Sequence, residues 1–185
     1  MTRTPTLLET ELRQTRPFPS RLEEAVVGLF RTAEVVRRAL GDVVGEKAIT
    51  LQQYNVLRIL RGAGSEGIPT LEIGERMVEQ APGVTRLLDR LEAKRLVRRE
   101  RCRTDRRQVL CWITPAGGQL LDDLEQPMRH AATGRMSGLD ARGIESLITL
   151  MEAVRTERLS APAPTAVKRE STGRGQASRR QGESR

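Results

Sequence analysis

Histidine is nearly missing from this sequence, with one residue at position 130, and aromatics are few: Phe18, Phe30, Tyr54 and Trp112. A single imidazole cannot build a Ser/His/Asp set or a Cys/His pair, and neither a phosphate loop nor paired carboxylates in a common cleft can be assembled, so no enzymatic activity is expected. His130, with no second histidine or acidic pair beside it, reads as an exposed helix residue, and neither a metal site nor a cofactor is expected. So few aromatics leave no ligand pocket to outline. The two cysteines, Cys102 and Cys111, lack the spacing of a disulfide framework and fit a reducing compartment. No run of about 18 apolar residues occurs, and MTRTPTLLETELRQ lacks the apolar core of a secretory signal, so a soluble cytoplasmic protein without a membrane partner is expected. Lysine is rare as well: three of the 32 cations are Lys47, Lys94 and Lys168.

Arginine is what the chain has instead. Over 185 residues the formal net charge is +8 and the pI is near 10.8, which points to polyanionic partners without choosing among them. Composition divides the chain in three. Residues 1–19 form a polar leader, closed by RPFPS, that is expected to be flexible. Residues 159–185 hold few large apolar side chains and cannot offset their ordering entropy by burial, so a disordered tail with net charge +4 is expected. Between them, residues 20–158 carry periodic hydrophobicity throughout.

The periodicity is mostly helical. Ser20 and Glu23 have the spacing of a capping box, after which Leu22, Val26, Leu29, Ala33, Val36 and Leu40 form a narrow seam over a helix of about residues 20–44. Thr50 and Gln53 form a second box before Leu51, Tyr54, Leu57 and Leu60. Thr70 is the expected N-cap of a short helix to about Val78. In QAPGVTRLLDRLEAK, Pro82 suits a first turn, and Val84, Leu87, Leu88 and Leu91 make a core stripe. The last two helices, with a tight break at Glu79–Gln80, are a helix-turn-helix candidate.

After Lys94 the period becomes two. Leu96 and Val97 open one strand and Val109, Cys111 and Ile113 alternate along another, joined near residues 104–107. Thr114-Pro115 restarts helix, with Leu120, Leu121, Leu124 and Met128 as its stripe, and Ile144, Leu147, Ile148, Met151 and Val154 stripe a last helix. Three helices and then a charged hairpin is the order of a winged helix-turn-helix: a mainly α chain with a small β-hairpin, its DNA-binding lobe at about 50–113. From Gln80 to Leu110 ten cations face four anions, so the charge is local, and Arg86, Arg90 and Lys94 recur every four residues opposite the leucines. Five of those cations fall in RERCRTDRRQ, residues 99–108. Arginine on a projecting hairpin tip suits phosphate and minor groove.

The stretch VTRLLDRLEAKRLVRRERCRTDRRQVLCWITPAG resembles the recognition helix, wing and following helix start of the multiple-antibiotic-resistance regulator (MarR) family, and the likeness extends over roughly residues 20–158. The resemblance implies a homodimeric transcription factor on double-stranded DNA, usually a repressor, often released by a small ligand whose identity the sequence does not carry. It implies dimerisation helices at about 20–44 and 115–158, with Leu22, Val26, Leu29, Ala33, Val36, Leu147, Met151 and Val154 at the interface. Pro82, Gly83, Val84, Thr85, Arg86 and Arg90 become groove-facing, and Arg103, Asp105, Arg106 and Arg107 form the wing, where the Asp orients an Arg. One position departs from the pattern: the family commonly has Gly where this chain has Arg95, and a non-Gly residue in the left-handed conformation costs on the order of 1 kcal/mol.

Three other readings use the same features. An architectural protein would coat DNA through the basic surface without reading bases, and a winged-helix module would bind an acidic protein instead. Cys102 and Cys111, on opposite arms of the hairpin, could also form a redox switch that distorts the wing.

Overall fold

The computed structural model describes residues 4–79, 83–102, 104–105 and 107–156. Pro82, Arg103, Arg106 and the expected tail at 159–185 therefore lie outside the described residues. The chain falls into two units, one ending at Asp140 and the other starting at Ala141.

Side-chain caps set the helix starts. The leader, expected to be flexible, holds a capping box of its own, in which Thr6 and Glu9 open α1 (Leu7–Glu11). Glu9 is only 4% exposed, and its carboxylate accepts the N–H of Thr6 at 2.8 Å and of Phe18 at 3.1 Å, which closes the leader into a loop. Leu8 packs at Gly28, and Glu11 pairs with Arg31 at 3.5 Å, so this loop rests on α2 (Arg21–Gly45). The T-x-x-E spacing was in the sequence, but five residues carry no period to confirm it. At α2 only the Ser20 half of the expected box forms, accepting the Glu23 N–H at 3.1 Å. At α3 (Leu51–Ala63) both halves of the Thr50–Gln53 box are present.

Beyond α3 lies a three-stranded sheet where a two-stranded hairpin was expected. A two-residue strand, β1 (Ile68–Pro69), pairs with the hairpin's second arm, giving the antiparallel order β1-β3-β2 with β2 (Val97–Arg101) and β3 (Val109–Ile113). Cys111 faces Ile68 on one side and Arg99 on the other. A strand this short and ending in proline has no alternation to read. Helix α4 (Thr70–Arg76) begins with Pro69 as N-cap, and the Thr70 hydroxyl, expected to cap it, donates instead to the Val109 carbonyl at 3.3 Å. Helix α5 (Val84–Ala93) and helix α6 (Pro115–Met136), the latter capped by Thr114, complete the first unit.

The core sits where α3, α4, α5, the sheet and α6 meet. Leu57, Leu60, Ile73, Leu88, Leu91, Cys111, Leu121 and Leu124 are fully enclosed there, and each large aliphatic side chain contributes roughly 2 kcal/mol by leaving water. Helix α2 packs along α6 and closes the core with Val44. Its predicted seam is not part of that core: Leu22 is 75% exposed, and Val26, Leu29 and Ala33 are also exposed, with Val36 half-buried. In the second unit, α7 (Ala141–Thr156) buries none of its residues, and Ile144, Ile148 and Val154 are exposed beside half-buried Leu147 and Met151. No described helix is long and apolar enough to cross a membrane.

Three helix ends use a left-handed residue that is not glycine: Arg13, Ala48 and Arg95, with φ of 52°, 54° and 60°. At the end of α5, Arg95 N–H bonds the Glu92 carbonyl at 2.8 Å and Leu96 N–H bonds the Leu91 carbonyl at 3.0 Å. The same pair of bonds recurs at Arg13–Gln14 and at Ala48–Ile49, and each satisfies carbonyls that the last helical turn leaves open. The departure at Arg95 thus leaves the helix end intact, with the residue strained in place. Arg95→Gly is expected to raise the unfolding free energy by about 1 kcal/mol, seen as a thermal midpoint several degrees higher; an unchanged or lower midpoint would show that Arg95 makes good its strain through contacts of its own.

Candidate nucleic-acid interface

Helices α4 and α5 form the helix-turn-helix, and their connection is held from α3. Asn55 Oδ1 accepts the Val78 N–H at 3.0 Å, and Gln52 donates to the Glu79 carboxylate at 3.3 Å. The break is longer than expected, since α4 ends at Arg76 and α5 begins at Val84. The first-turn place expected for Pro82 lies outside the described residues. Gly83 caps α5 with φ 106°, a conformation that strains any side chain, and being bare it leaves the start of the helix open.

On α5 the leucines Leu87, Leu88 and Leu91 face the core, and Thr85, Arg86 and Arg90 are exposed. Val84, read from its period as core stripe and from the resemblance as groove-facing, packs with the core, and Lys94 carries a contact of its own. Val84 is half-buried and in van der Waals reach of α4, where a Cβ at Gly74 would lie 3.4 Å from it, so it braces the two helices against each other. Lys94, exposed and still charged, donates to the Ala48 carbonyl in the turn after α2. Arg86 and Arg90 have no ion-pair partner among the described residues.

The arginine-rich hairpin separates into inward and outward cations. Arg99, whose side chain is 22% exposed, reaches from β2 to α5 and bonds Glu92 through Nε at 2.9 Å and Asp89 through Nη2 at 2.8 Å. The hydrogen bond to Glu92 raises the Arg99 pKa, partial burial opposes this, and Asp89 adds to the rise. On the other sheet face Arg98 lies 4.2 Å from the Trp112 ring centroid and pairs with Glu100, while the indole N–H donates to the Ser65 carbonyl at 2.9 Å. Toward the tip, Arg101 and Arg107 are exposed.

Asp105 organises that tip. One carboxylate oxygen accepts the backbone N–H of Arg107 and the other the Gln108 side-chain amide, both at 3.0 Å, while its own carbonyl accepts the Gln108 N–H at 2.9 Å. Asp105 thus places Arg107 through the main chain. The pairing with an arginine side chain implied for Asp105 falls partly on Arg106, outside the described residues, as does Arg103.

The two cysteines, on opposite arms of the hairpin, are offset along it. Cys111 lies opposite Arg99 in the β2–β3 register, whereas Cys102 sits three residues further along, its N–H on the Gln108 carbonyl at 3.0 Å. Three extended residues span about 10 Å, beyond the roughly 7 Å Cα separation that a disulfide tolerates. Cys111 is buried, with its thiol pKa raised by burial and partly opposed by Thr70. Cys102 is a half-exposed thiol 3.2 Å from Thr104 Oγ1, and that hydrogen bond, followed by the backbone N–H groups of Asp105 and Thr104, lowers its pKa. His130 is exposed on α6. Among the described residues no group of three His, Cys, Asp or Glu side chains gathers where a metal could be held.

Comparison with known proteins places this geometry. The sequence model of the MarR family matches residues 49–109, from the α3 cap through the wing. The crystal structure of a MarR transcription factor from Planctomyces limnophilus is 39% identical, with a TM-score of 0.59 over 74% of this chain and 98% of that one. A MarR mutant from E. coli complexed with operator DNA is 26% identical, with a TM-score of 0.63 over 73% of this chain and 99% of that one. The HTH-type transcriptional regulator TtmR of Methylorubrum extorquens (strain PA1) is 32% identical over 129 residues, which are 70% of this chain and 64% of that protein's length.

The two thiols differ enough to be titrated apart. A maleimide at neutral pH is expected to label Cys102 alone in the folded protein, with Cys111 reacting only on unfolding. Because the Thr104 hydroxyl favours the thiolate, Thr104→Val should shift the pH midpoint of Cys102 labelling upward. An unchanged midpoint would rule out the hydroxyl as the main cause.

Proposed function

Given that the chain belongs to the MarR family, we propose that it is a DNA-binding transcriptional regulator, a homodimeric repressor that sets α5 in the major groove and the wing against the flanking backbone. The observation that carries this reading is the pair Arg86 and Arg90, exposed and without counter-ions among the described residues, on the helix whose other face is fixed in the core by Leu87, Leu88 and Leu91. Gly83, Thr85, Arg86 and Arg90 then meet base edges and phosphates, Asp105 holds Arg107 at the backbone, and Arg103 and Arg106 add charge to the wing. Arg101, exposed at the end of β2 and counted in the basic stretch though not among the expected contact residues, belongs with them. Release by a small ligand is part of this reading through family membership alone.

Two copies present paired recognition helices to a pseudo-palindrome. The stripe Leu22, Val26, Leu29, Ala33 and Val36 on α2 is exposed or half-buried, and so is the stripe Leu147, Met151 and Val154 on α7. Along α2 the stripe continues into an open groove of about 840 Å³ lined by Leu12, Phe18, Leu22 and Val26. A second copy that covers these surfaces accounts for their composition. The chain is expected to sediment as a dimer at micromolar concentration, and Leu29→Arg, which sets a charge against its own symmetry mate, to sediment as a monomer; a wild-type monomer bound to its operator would remove dimerisation from the reading.

DNA recognition is tested on a duplex that the wild-type protein selects from a randomised pool. Wild type should prefer it over scrambled DNA by about 10³ or more, and Arg86→Ala should flatten that preference at particular base pairs by roughly 1–3 kcal/mol. Asp105→Ala removes a negative charge, so charge counting alone would tighten binding. Loss of the Asp105 bonds to the tip should weaken it instead. Equal affinity for unrelated duplexes would make the protein an architectural DNA binder, and tighter binding by Asp105→Ala would reduce the wing to an electrostatic patch.

A further inference from the structure

An arginine that lies in the basic stretch but faces inward needs a separate account. On α5, Asp89 stands three residues after Arg86, a spacing at which Asp and Arg side chains pair on a helix surface. The two are not paired here. The Asp89 carboxylate is taken by Arg99 of β2 at 2.8 Å, and the same guanidinium grips Glu92 one turn on. Arg99 is shielded by this position and is opposite buried Cys111 in the sheet. A cation held between two carboxylates is poorly placed to meet phosphate. Both acids of the recognition helix are thereby neutralised from behind by the wing strand.

We propose that Arg99 is a positioning residue for DNA recognition, holding Asp89 and Glu92 against the wing so that Arg86 and Arg90 keep their guanidinium groups free for DNA. This rests on the proposed role of α5 as the groove-reading helix. The consequence is a coupling between two residues that themselves make no DNA contact. Without Arg99, Asp89 turns to Arg86 and occupies it.

The test is a double-mutant cycle of Arg99→Met and Asp89→Asn in the full chain, with affinity measured on the duplex selected by wild type and on scrambled DNA. Arg99→Met should lose roughly tenfold on the selected duplex, the scale of one base-edge contact. Asp89→Asn should change affinity by less than about twofold in the wild-type background, where its charge is already neutralised, yet recover most of the loss in the Arg99→Met background. A general electrostatic effect would make Asp89→Asn act equally in both backgrounds, and a mere brace between wing and helix would not be rescued at all. Either result, or an unweakened Arg99→Met, overturns the assignment. Far-UV circular dichroism and the fluorescence of Trp112, the sole tryptophan, report folding. Should Arg99→Met fail to fold, Arg99→Lys takes its place in the cycle, with a smaller loss and the same non-additivity expected. Wild type that does not discriminate between the duplexes ends the proposed function itself. Discrimination with an additive cycle ends only the role of Arg99.

Discussion

Three elements meet at the peptide groups of Arg95 and Leu96, and the placing of the wing beside α5 depends on that junction. The Leu96 N–H closes α5 on the Leu91 carbonyl, and the Leu96 carbonyl accepts the Thr114 N–H at 3.1 Å, joining the two arms of the hairpin at their root. The Thr114 hydroxyl then donates to the Arg95 carbonyl at 2.8 Å and accepts the Gly117 N–H at 3.1 Å, which ties the start of α6 to the end of α5. A Cβ on Gly117 would lie 2.3 Å from the Leu96 oxygen, so the approach is closed to every other residue. One threonine hydroxyl and one bare Cα therefore set where the wing leaves the helix, and they hold the Arg95 backbone left-handed despite its side chain.

The acids of the basic segment have a common use within this frame. Glu92 and Asp89 hold Arg99, Glu100 pairs with Arg98 over the Trp112 ring, and Asp105 fixes the backbone at Arg107. Each anion is spent on a group of the lobe itself, so the outward cations Arg86, Arg90, Arg101 and Arg107 are left without intramolecular partners among the described residues. A net positive charge would attract DNA wherever it lay. A divided one, with some arginines satisfied inside and others open, gives the attraction an orientation.

Burial divides the apolar residues in a similar way. Those of α3, α4, α5, the sheet and the middle of α6 enclose one another, while those on the stripes of α2 and α7 stay exposed or half-buried, and the leader lies beside the α2 stripe with its Glu9 clasp closed. The core of the lobe is complete without those outer stripes. Their exposure is the counterpart, in packing, of the free cations on α5.

Much of this was legible in the sequence, because it rests on local chemistry. The Thr50–Gln53 box, the Thr114-Pro115 start and the Leu87, Leu88, Leu91 stripe each depend on residues within two turns of one another, and the helix, helix, helix, hairpin order follows from them. Where local signals were weak or shared, the tertiary structure decided. Two-residue β1 exists only because β3 offers it an edge, and that pairing diverts the Thr70 hydroxyl from capping to the Val109 carbonyl. Pro127 lies inside α6 without ending it, since the Leu121 and Leu124 side of that helix is already held in the core. Arginine is one letter in the sequence, but whether Arg99 faces carboxylates or Arg86 faces solvent depends on strand register and on which helix lies across the sheet. The sequence by itself determined how much positive charge this lobe carries and on which segments, because composition and period are properties of neighbours along the chain. Only the tertiary structure decided which cations are free, because a counter-ion contributed by another element is set by packing between residues distant in sequence.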